Sequence, residues 1–516
     1  MKDAIKREIK RLGRRALRRQ MQRQKIELRF RKKFEKRTNL PAGQPKPSSP
    51  FKPNHFDPKH CVRNANFLAS TIWHKVLSGQ YEVTPAMYFE IDKPNGGKRP
   101  IMAFGFPDAA LATVVMKRCR ERNLKRFSAS SYAYHPKRNL FDAVTEINGY
   151  AHSGKQFVVQ IDFEAFFDSI PSDYLVKRMD DKEKITLTRH EKFVFSRFLY
   201  HQFAKIPDYQ KNLFLRRHRG TPQGSSASLL LANLANSELD TALDNEAGKF
   251  ARFADDVIAV CNTYEQAQQV ERRFFEHCQK SGLSINWGKS PGTGIISSHQ
   301  QEVRTYSDFV FLGYKFSEDG LAIPEKSVAK LKTRISRLLN LHLICYLKFG
   351  FNPTRSSVSP YKFDWDLLAF IYELRNSVYG GLAEQEIRDF INGGNQLRSM
   401  RGMMRFYCLV ENPTAFRSLD GWLVSTTRRA MKQRHQILAD RYGANCPTPS
   451  NKNLILGTWL DRGAWEQRGN PLPDPSMPSF VRAWRAARKF YYTFGLEKVR
   501  PPSYQSSTDI GKLFDY

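Results

Sequence analysis

The chain has 516 residues, 41% hydrophobic and 26% charged, and its 83 Lys and Arg against 50 Asp and Glu leave a formal net charge of +33. This is the composition of a soluble globular protein long enough to bury a sizeable core in several domain-sized units; the positive excess favours capture of polyanions and says nothing of fold. A disulfide framework, a zinc ribbon, a secretory signal and a membrane span are excluded as expectations: seven scattered cysteines (Cys61, Cys119, Cys261, Cys278, Cys345, Cys408, Cys446) form no Cys-x-x-Cys pair, the N-terminus lacks an apolar run, and no stretch reaches the ~18 apolar residues a spanning helix needs. The expected setting is a reduced, cytoplasmic one. Charge alone fits a ribosome-associated basic protein equally well.

Residues 1 to 37 form a basic arm, with Lys6, Arg7, Lys10, Arg11, Arg14, Arg15, Arg18 and Arg19 followed by Arg29, Arg31, Lys32 and Lys33. Good helix formers without Pro predict a helix once the charge is neutralised, in contact with RNA or DNA phosphates; the competing reading is a solvated tail. Residues 41–58 are Pro-rich and read as a linker or extended entry strand. From 60 to 325 short strand-like runs mix with amphipathic helices, an α+β pattern. Ala267, Val270, Phe274 and Cys278 recur at helical spacing. Beyond Pro324 the pattern is mainly helical, with Val328, Leu331, Ile335, Leu338 and Leu339 on one stripe and Lys330, Lys332, Arg334 and Arg337 on other faces. Pro and Gly clusters near Pro447, 471–478 and Pro501 break up the last segment.

The chemistry lies in carboxylates. Phe157-Val158-Val159-Gln160-Ile161-Asp162 is a buried-strand pattern ending in an acid, followed by Phe163, Phe166, Phe167 and Asp168. In Phe250-Ala251-Arg252-Phe253-Ala254-Asp255-Asp256-Val257-Ile258 two adjacent acids sit between apolar runs, as at the bend of a β-hairpin. Uncompensated carboxylates beside buried strands are costly and repel one another, so the arrangement asks for a cation. Nucleotidyl transfer supplies one: two metals roughly 3.5–4 Å apart can activate a primer hydroxyl and hold the leaving pyrophosphate, and Mg²⁺, with Mn²⁺ as a substitute, takes oxygen ligands. A lone Asp-Asp pair more often marks a solvated turn. Here Gly220-Thr221-Pro222-Gln223-Gly224 also forms a turn into a helix carrying Leu231, Leu234, Leu239 and Leu243, where glycines admit a ligand closely and Gln223 offers donor and acceptor. Lys289 falls in a strand–loop setting, and Phe311-Leu312-Gly313-Tyr314 reads as a short strand with a close approach at Gly313.

Taken in order, these segments resemble the reverse transcriptase family, particularly bacterial enzymes related to group II intron and retron polymerases, over about residues 60 to 410. The resemblance implies a right-hand polymerase: a basic arm and Pro-rich linker in 1–58, fingers and palm in 59–325, a helical thumb in 326–415 and a mainly helical C-terminal extension in 416–516. It makes Asp162, Asp255 and Asp256 the ligands of two Mg²⁺ ions and Lys289 the proton donor to departing pyrophosphate. Gly220, Pro222, Gln223 and Gly224 become the template- and nucleotide-positioning loop, Phe253 a primer-end contact, and Gly313 part of a primer-grip hairpin. Lys93-Pro94-Asn95-Gly96-Gly97-Lys98-Arg99-Pro100 and Tyr134-His135-Pro136-Lys137-Arg138 resemble two fingers motifs, so Arg99 and Arg138 are candidate triphosphate ligands whose planar forks suit phosphate. Arg401-Gly402-Met403-Met404-Arg405-Phe406-Tyr407 is similar to a thumb segment. The family's usual Tyr before Ala-Asp-Asp is here Phe253, and a proline common after the glycine loop is missing from 225–228.

Phe167, five positions after Asp162, takes the place of the family's aromatic gate against a ribose 2′-hydroxyl, with Phe163 beside the nucleotide; the alternative for Phe167 is a core aromatic. The resemblance therefore implies DNA products made from dNTPs on an RNA template. No paired Cys and His suggest a nuclease after the thumb, so the chain is similar to the defence-associated "unknown group" enzymes, many of which copy a structured noncoding RNA in antiphage defence. The alternatives are a group II intron-type maturase without its nuclease and a catalytically silent RNA-binding scaffold. A homo-oligomer is compatible with this reading. Ser503, Tyr504, Ser506, Ser507 and Tyr516 suggest protein priming, though such tails are more often unstructured.

Overall fold

The computed structural model describes residues 1–43, 53–92, 96–151, 156–297, 299–300, 303–355, 363–394, 397, 399–461, 463, 474–495 and 498–499. Much of the Pro-rich linker, Lys93 to Asn95 of the first fingers motif and the Tyr- and Ser-containing tail lie outside them. The chain divides into two units, the first drawn from Met1–Arg23 and Pro47–Ser307, the second from Gln24–Lys46 and Asp308–Tyr516.

The basic arm is a helix, Lys2–Thr38, whose Asp3 in the first turn and Lys36 and Arg37 in the last complement its dipole. It is not a solvated tail: Ile5 and Ile9 are 0% exposed in the core of the first unit. In the second unit Arg37 Nε donates to Asp366 Oδ1 at 2.8 Å, and Lys33 pairs with Glu373.

Among the described residues nine strands order the first unit: β1 (Ala86–Asp92), β2 (Lys98–Ala103), β3 (Phe157–Asp162), β4 (Gln202–Ala204), β5 (Leu215–Arg216), β6 (Lys249–Phe253), β7 (Asp256–Cys261), β8 (Gly292–Ile296) and β9 (Thr305–Tyr306). One sheet runs β2-β1-β4-β5, the other β6-β7-β3-β8-β9, with β3 antiparallel to both β7 and β8. Val158, Val159, Ile161 and the run from Val257 to Cys261 are buried, as central strands require. Behind them packs the Tyr264–Ser281 helix, capped by Thr263 accepting from the Gln266 N–H and closed by Gly282 at φ 71°. It buries Ala267, Val270, Phe274 and also His277, with Cys278 half-buried.

In the second unit β10 (Asp308–Phe311), β11 (Tyr314–Ser317) and β12 (Gly320–Ala322) form an antiparallel sheet. Phe311 pairs with Tyr314, so Leu312 (φ 48°) and Gly313 (φ 82°) make the two-residue turn. The residue pattern alone reads as one short strand, whereas the segment is a hairpin, the form that the resemblance implies, since two successive positive φ angles suit the tight turns that match strand twist. The helices Glu325–Leu339, Trp365–Tyr379, Thr414–Tyr442 and Phe480–Phe494 follow, and Leu331, Ile335 and Leu339 are the buried stripe of the first of them. Asp364 receives Arg434 at 2.5 Å, while Asp366 receives Arg37 and Arg355. Architecture is α+β throughout. No helix among the described residues is long and apolar enough to cross a membrane, and all seven cysteines are free.

Candidate active site

Antiparallel pairing, not sequence proximity, assembles the acidic cluster. Asp162 ends β3 directly opposite Asp256, which opens β7, so their side chains share one face of the sheet. Phe253 pairs with Asp256 across the β6–β7 hairpin, leaving Ala254 and Asp255 as its turn. Ala254 holds φ 65°, a left-handed conformation that L residues rarely adopt. All four residues near this bend belong to the first unit.

The segment 283–290 clamps the end of β3. The Asn286 N–H donates to the Asp162 carbonyl and the Glu164 N–H to the Ser284 carbonyl, both at 2.8 Å, while Ser290 Oγ accepts from the Asp162 N–H at 3.0 Å. This brings Lys289 Nζ to 2.8 Å from Asp162 Oδ2, although the lysine side chain remains 68% exposed. Burial, then the charges of Asp162 and Asp255, push the Asp256 carboxyl up to about 7, against a hydrogen bond from Gln160. Burial also raises Asp255, with Asp162 adding to the rise and a backbone hydrogen bond, Lys289 and Arg99 opposing it. The hydrogen bond to Asp162 raises Lys289.

Among the described residues no three Asp, Glu, His or Cys side chains already converge as a metal cage, and Asp162 is turned onto Lys289. The donor set nevertheless fits a hard divalent cation. It offers carboxylate oxygens without sulfur or imidazole, and two of the three acids are held towards protonation by burial and mutual repulsion. The Lys289 ammonium offsets only part of that charge.

Beside the cluster, the glycine loop is fastened to the segment carrying Phe167. The Thr221 N–H donates to the Phe167 carbonyl at 2.6 Å and the Gly220 N–H to the Ile170 carbonyl at 2.7 Å. Asp168 accepts from Gln223 Nε2 at 2.7 Å and Arg217 Nη2 at 2.9 Å. The Gln223 carbonyl in turn accepts from the Met102 N–H of β2, the strand that carries Arg99. Both loop glycines are needed for space. A Cβ on Gly224 (φ 124°) would stand 2.2 Å from the Met102 carbonyl oxygen, and one on Gly220 (φ 81°) 2.6 Å from that of Asp168. Gly224→Ala is therefore expected to lower the urea midpoint by an amount equivalent to about 1–3 kcal/mol, as overpacking does, and to raise KM for nucleotide; unchanged values would show that β2 yields freely.

The expected site residues thus divide. Asp162, Asp255, Asp256, Lys289 and Arg99 are electrostatically coupled. Gly220, Pro222, Gln223 and Gly224 form one loop with half-buried Phe167, and Phe253 lies half-buried opposite Asp256. Phe163 departs from expectation: it is 2% exposed, stacked on Phe166 and in ring contact with Phe274 and His277, so its ring is core and cannot meet a nucleotide. Arg138 has partners of its own, the Ala129 carbonyl, Glu146 and the Tyr132 ring. Gly313 belongs to the second unit. Sequence reasoning missed Ser290, Asp168 and above all Arg252. This arginine is wholly buried, paired with buried Asp240, and donates to the Ala254 carbonyl at 3.0 Å in the very turn that presents Asp255.

Residues 91–316 match the family model described as reverse transcriptase (RNA-dependent DNA polymerase). This segment belongs to the reverse transcriptase family. Curated proteins are similar to parts of the chain of comparable length. An uncharacterized 91 kDa protein in the cob intron of Schizosaccharomyces pombe is 29% identical over 180 residues, 35% of this chain and 21% of that protein. The retron Ec86 reverse transcriptase of Escherichia coli is 27% identical over 237 residues, 40% of this chain and 66% of that protein. The chain thus spans less than two thirds of the length of either relative. A solved structure of telomerase from Candida albicans with a TWJ fragment of telomeric RNA aligns at a TM-score of 0.37 and 11% identity, covering 75% of this chain and 67% of that one.

Proposed function

We propose that the protein is an RNA-directed DNA polymerase. One observation carries the reading: Asp162, Asp255 and Asp256 gather at the shared end of β3 and β7 with Lys289 among them. Their oxygens would hold two Mg²⁺ ions, which when bound supply positive charge to a primer hydroxyl and a triphosphate. Arg99, whose charge acts on Asp255, would take triphosphate oxygens. Lys289, kept protonated by Asp162, can hand its proton to departing pyrophosphate. The loop 220–224, tied to β2 and to Asp168, fixes where the nucleotide base and template meet. Phe167, half-buried and tied through its carbonyl to the Thr221 N–H of that loop, offers a wall to the sugar.

The direct test is extension of a DNA primer on an RNA template with dNTPs and Mg²⁺, beside the Asp255→Ala protein. Purified wild type that extends nothing would end the reading. Phe167→Ala should admit ribonucleotides, narrowing the ratio of kcat/KM for dNTP over NTP by about 10- to 200-fold. An unchanged ratio would return Phe167 to a packing role.

The narrower reading gives the enzyme a dedicated structured noncoding RNA as template in antiphage defence. A retron reverse transcriptase among its relatives supports it. Sequencing of nucleic acids that co-purify with wild type and with Asp255→Ala protein tests it, since a single discrete RNA and a catalysis-dependent cDNA are expected. The intron-related relative keeps the maturase alternative in view, and an Asp255→Ala protein with full cellular function would favour a silent scaffold.

A further inference from the structure

The Thr414–Tyr442 helix of the second unit carries two kinds of arginine. Arg434 points inward, fully buried on Asp364. Arg417, Arg428, Arg429 and Lys432 are exposed, and none has an ion-pair partner among the described residues. At 3.6 residues per turn Arg417, Arg428 and Lys432 fall on one face, with Arg429 at its edge. No acidic residue shares that face between 414 and 439. Asp420 is turned inward, accepting from Ser479 Oγ and the Phe480 N–H at 2.6 Å each to cap the next helix. From Arg417 to Lys432 the face runs about 22 Å, long enough to meet several phosphates.

Gly421 sits at its centre. Glycine inside a helix is disfavoured and is retained where a backbone comes close. Gly13 has such a reason within the fold, because a Cβ there would meet Val62 Cγ2 at 2.5 Å; a Cβ on Gly421, like one on Gly149 of the Leu140–Ala151 helix, would meet nothing within 4 Å, but of these two only Gly421 lies among cations that are unpaired within the described residues. The fold itself leaves room for a side chain, and only something outside it would not. A helix face that carries cations and no carboxylate beside a side-chain-free position matches a sugar–phosphate backbone.

We propose that this face anchors a double-helical part of an RNA, with the phosphate backbone seated at Gly421 between Arg417 and the Arg428–Lys432 turn. The choice of RNA over DNA rests on the polymerase reading above; the cationic geometry does not.

The test uses the full chain, a fluorescent hairpin RNA and anisotropy across a salt series. The triple variant Arg417→Gln, Arg428→Gln, Lys432→Gln is expected to lose affinity about tenfold or more and to flatten the log–log salt slope by about 2–3. A control triple with the same charge change at exposed Lys59, Lys348 and Lys452 should retain most of its affinity. Gly421→Gln should melt at a higher temperature yet bind the hairpin more weakly, a combination that a purely structural glycine would not give. Wild-type affinity in the triple variant, a loss no greater than in the control, or unaltered binding by Gly421→Gln would each overturn the proposal. An equal loss for a DNA duplex would overturn the assignment to RNA. Lost self-association in sedimentation with RNA affinity intact would make the face a protein contact and overturn it too. Extension of a short primed RNA is measured on the same preparations. Binding through this face without extension would sink the polymerase reading alone, while extension with unaltered binding would sink only the docking face.

Discussion

Asp256→Asn is expected to cut RNA-templated extension by about 10³-fold or more while making the metal-free protein harder to melt at neutral pH. Both outcomes follow from one placement. Asp256 is set opposite Asp162 by the β3–β7 ladder and next to Asp255 by the chain, so three acids share a partly buried corner. Its folded-state carboxyl, near 7, lies above the ordinary carboxylate range that it regains on unfolding. Between those two values the folded state holds a proton that the unfolded state has released, so stability falls as pH rises from about 4 to 7. Asparagine removes that loss and with it an oxygen ligand. Differential scanning in EDTA across that pH range should show the wild type declining more steeply than the variant. Added Mg²⁺ should then raise the melting temperature of the wild type more than that of the variant. A variant less stable than wild type at pH 7, or one that still extends primers, would contradict the assignment.

The largest loss of stability is expected at Arg252. Its guanidinium and the Asp240 carboxylate are both 0% exposed and lie 2.5 Å apart, and Arg252 also donates to Ser131 Oγ, Asn233 Oδ1 and the Ala254 carbonyl. Arg252→Met leaves Asp240 buried without its counter-charge, a change that typically costs about 3–5 kcal/mol. The double variant Arg252→Met, Asp240→Leu should recover much of this, because replacing a whole buried ion pair by apolar groups is often close to neutral. Activity should not recover with it, since the Ala254 carbonyl and the turn holding Asp255 stay unsupported. Urea midpoints for the two single variants and the double give the coupling, and extension assays on the double separate positioning from stability. A coupling near zero would mean that the pair contributes little. Full activity in the double would remove Arg252 from the support of the site.

Much of the site was legible because strands announce themselves by period two and acids stand out against apolar runs. Asp162, Asp255 and Asp256 stand out together in the sequence alone, and the 264–281 helix shows its stripe there. What stayed hidden depends on contacts far apart in sequence. Phe163, Phe166 and Phe167 look alike in the chain, and which of them reaches the loop is decided by the left-handed bend at Ala165 and by Phe274 and His277 arriving from another element. Arg252 reads as one more cation until Asp240 is found across from it. The N-terminal helix does carry a sign, since Ile5 and Ile9 lie four apart on one face, but two isoleucines stand out little among so many cations. Arg138 is a triphosphate candidate through its motif and its residue type, and its local partners leave no mark in sequence.

The two-residue bend at Ala254 and Asp255 also limits how such a protein can diversify. Lengthening it by a single residue would either loosen the loop that presents Asp255 or shift β7 by one step, and such a shift would turn every side chain from Asp256 to Cys261 to the other side of the sheet. Exchanges of residue type can accumulate there; changes of length cannot. Across 250–261, variation among functional descendants should therefore consist of substitutions at constant spacing, while insertions collect in the surface connections elsewhere.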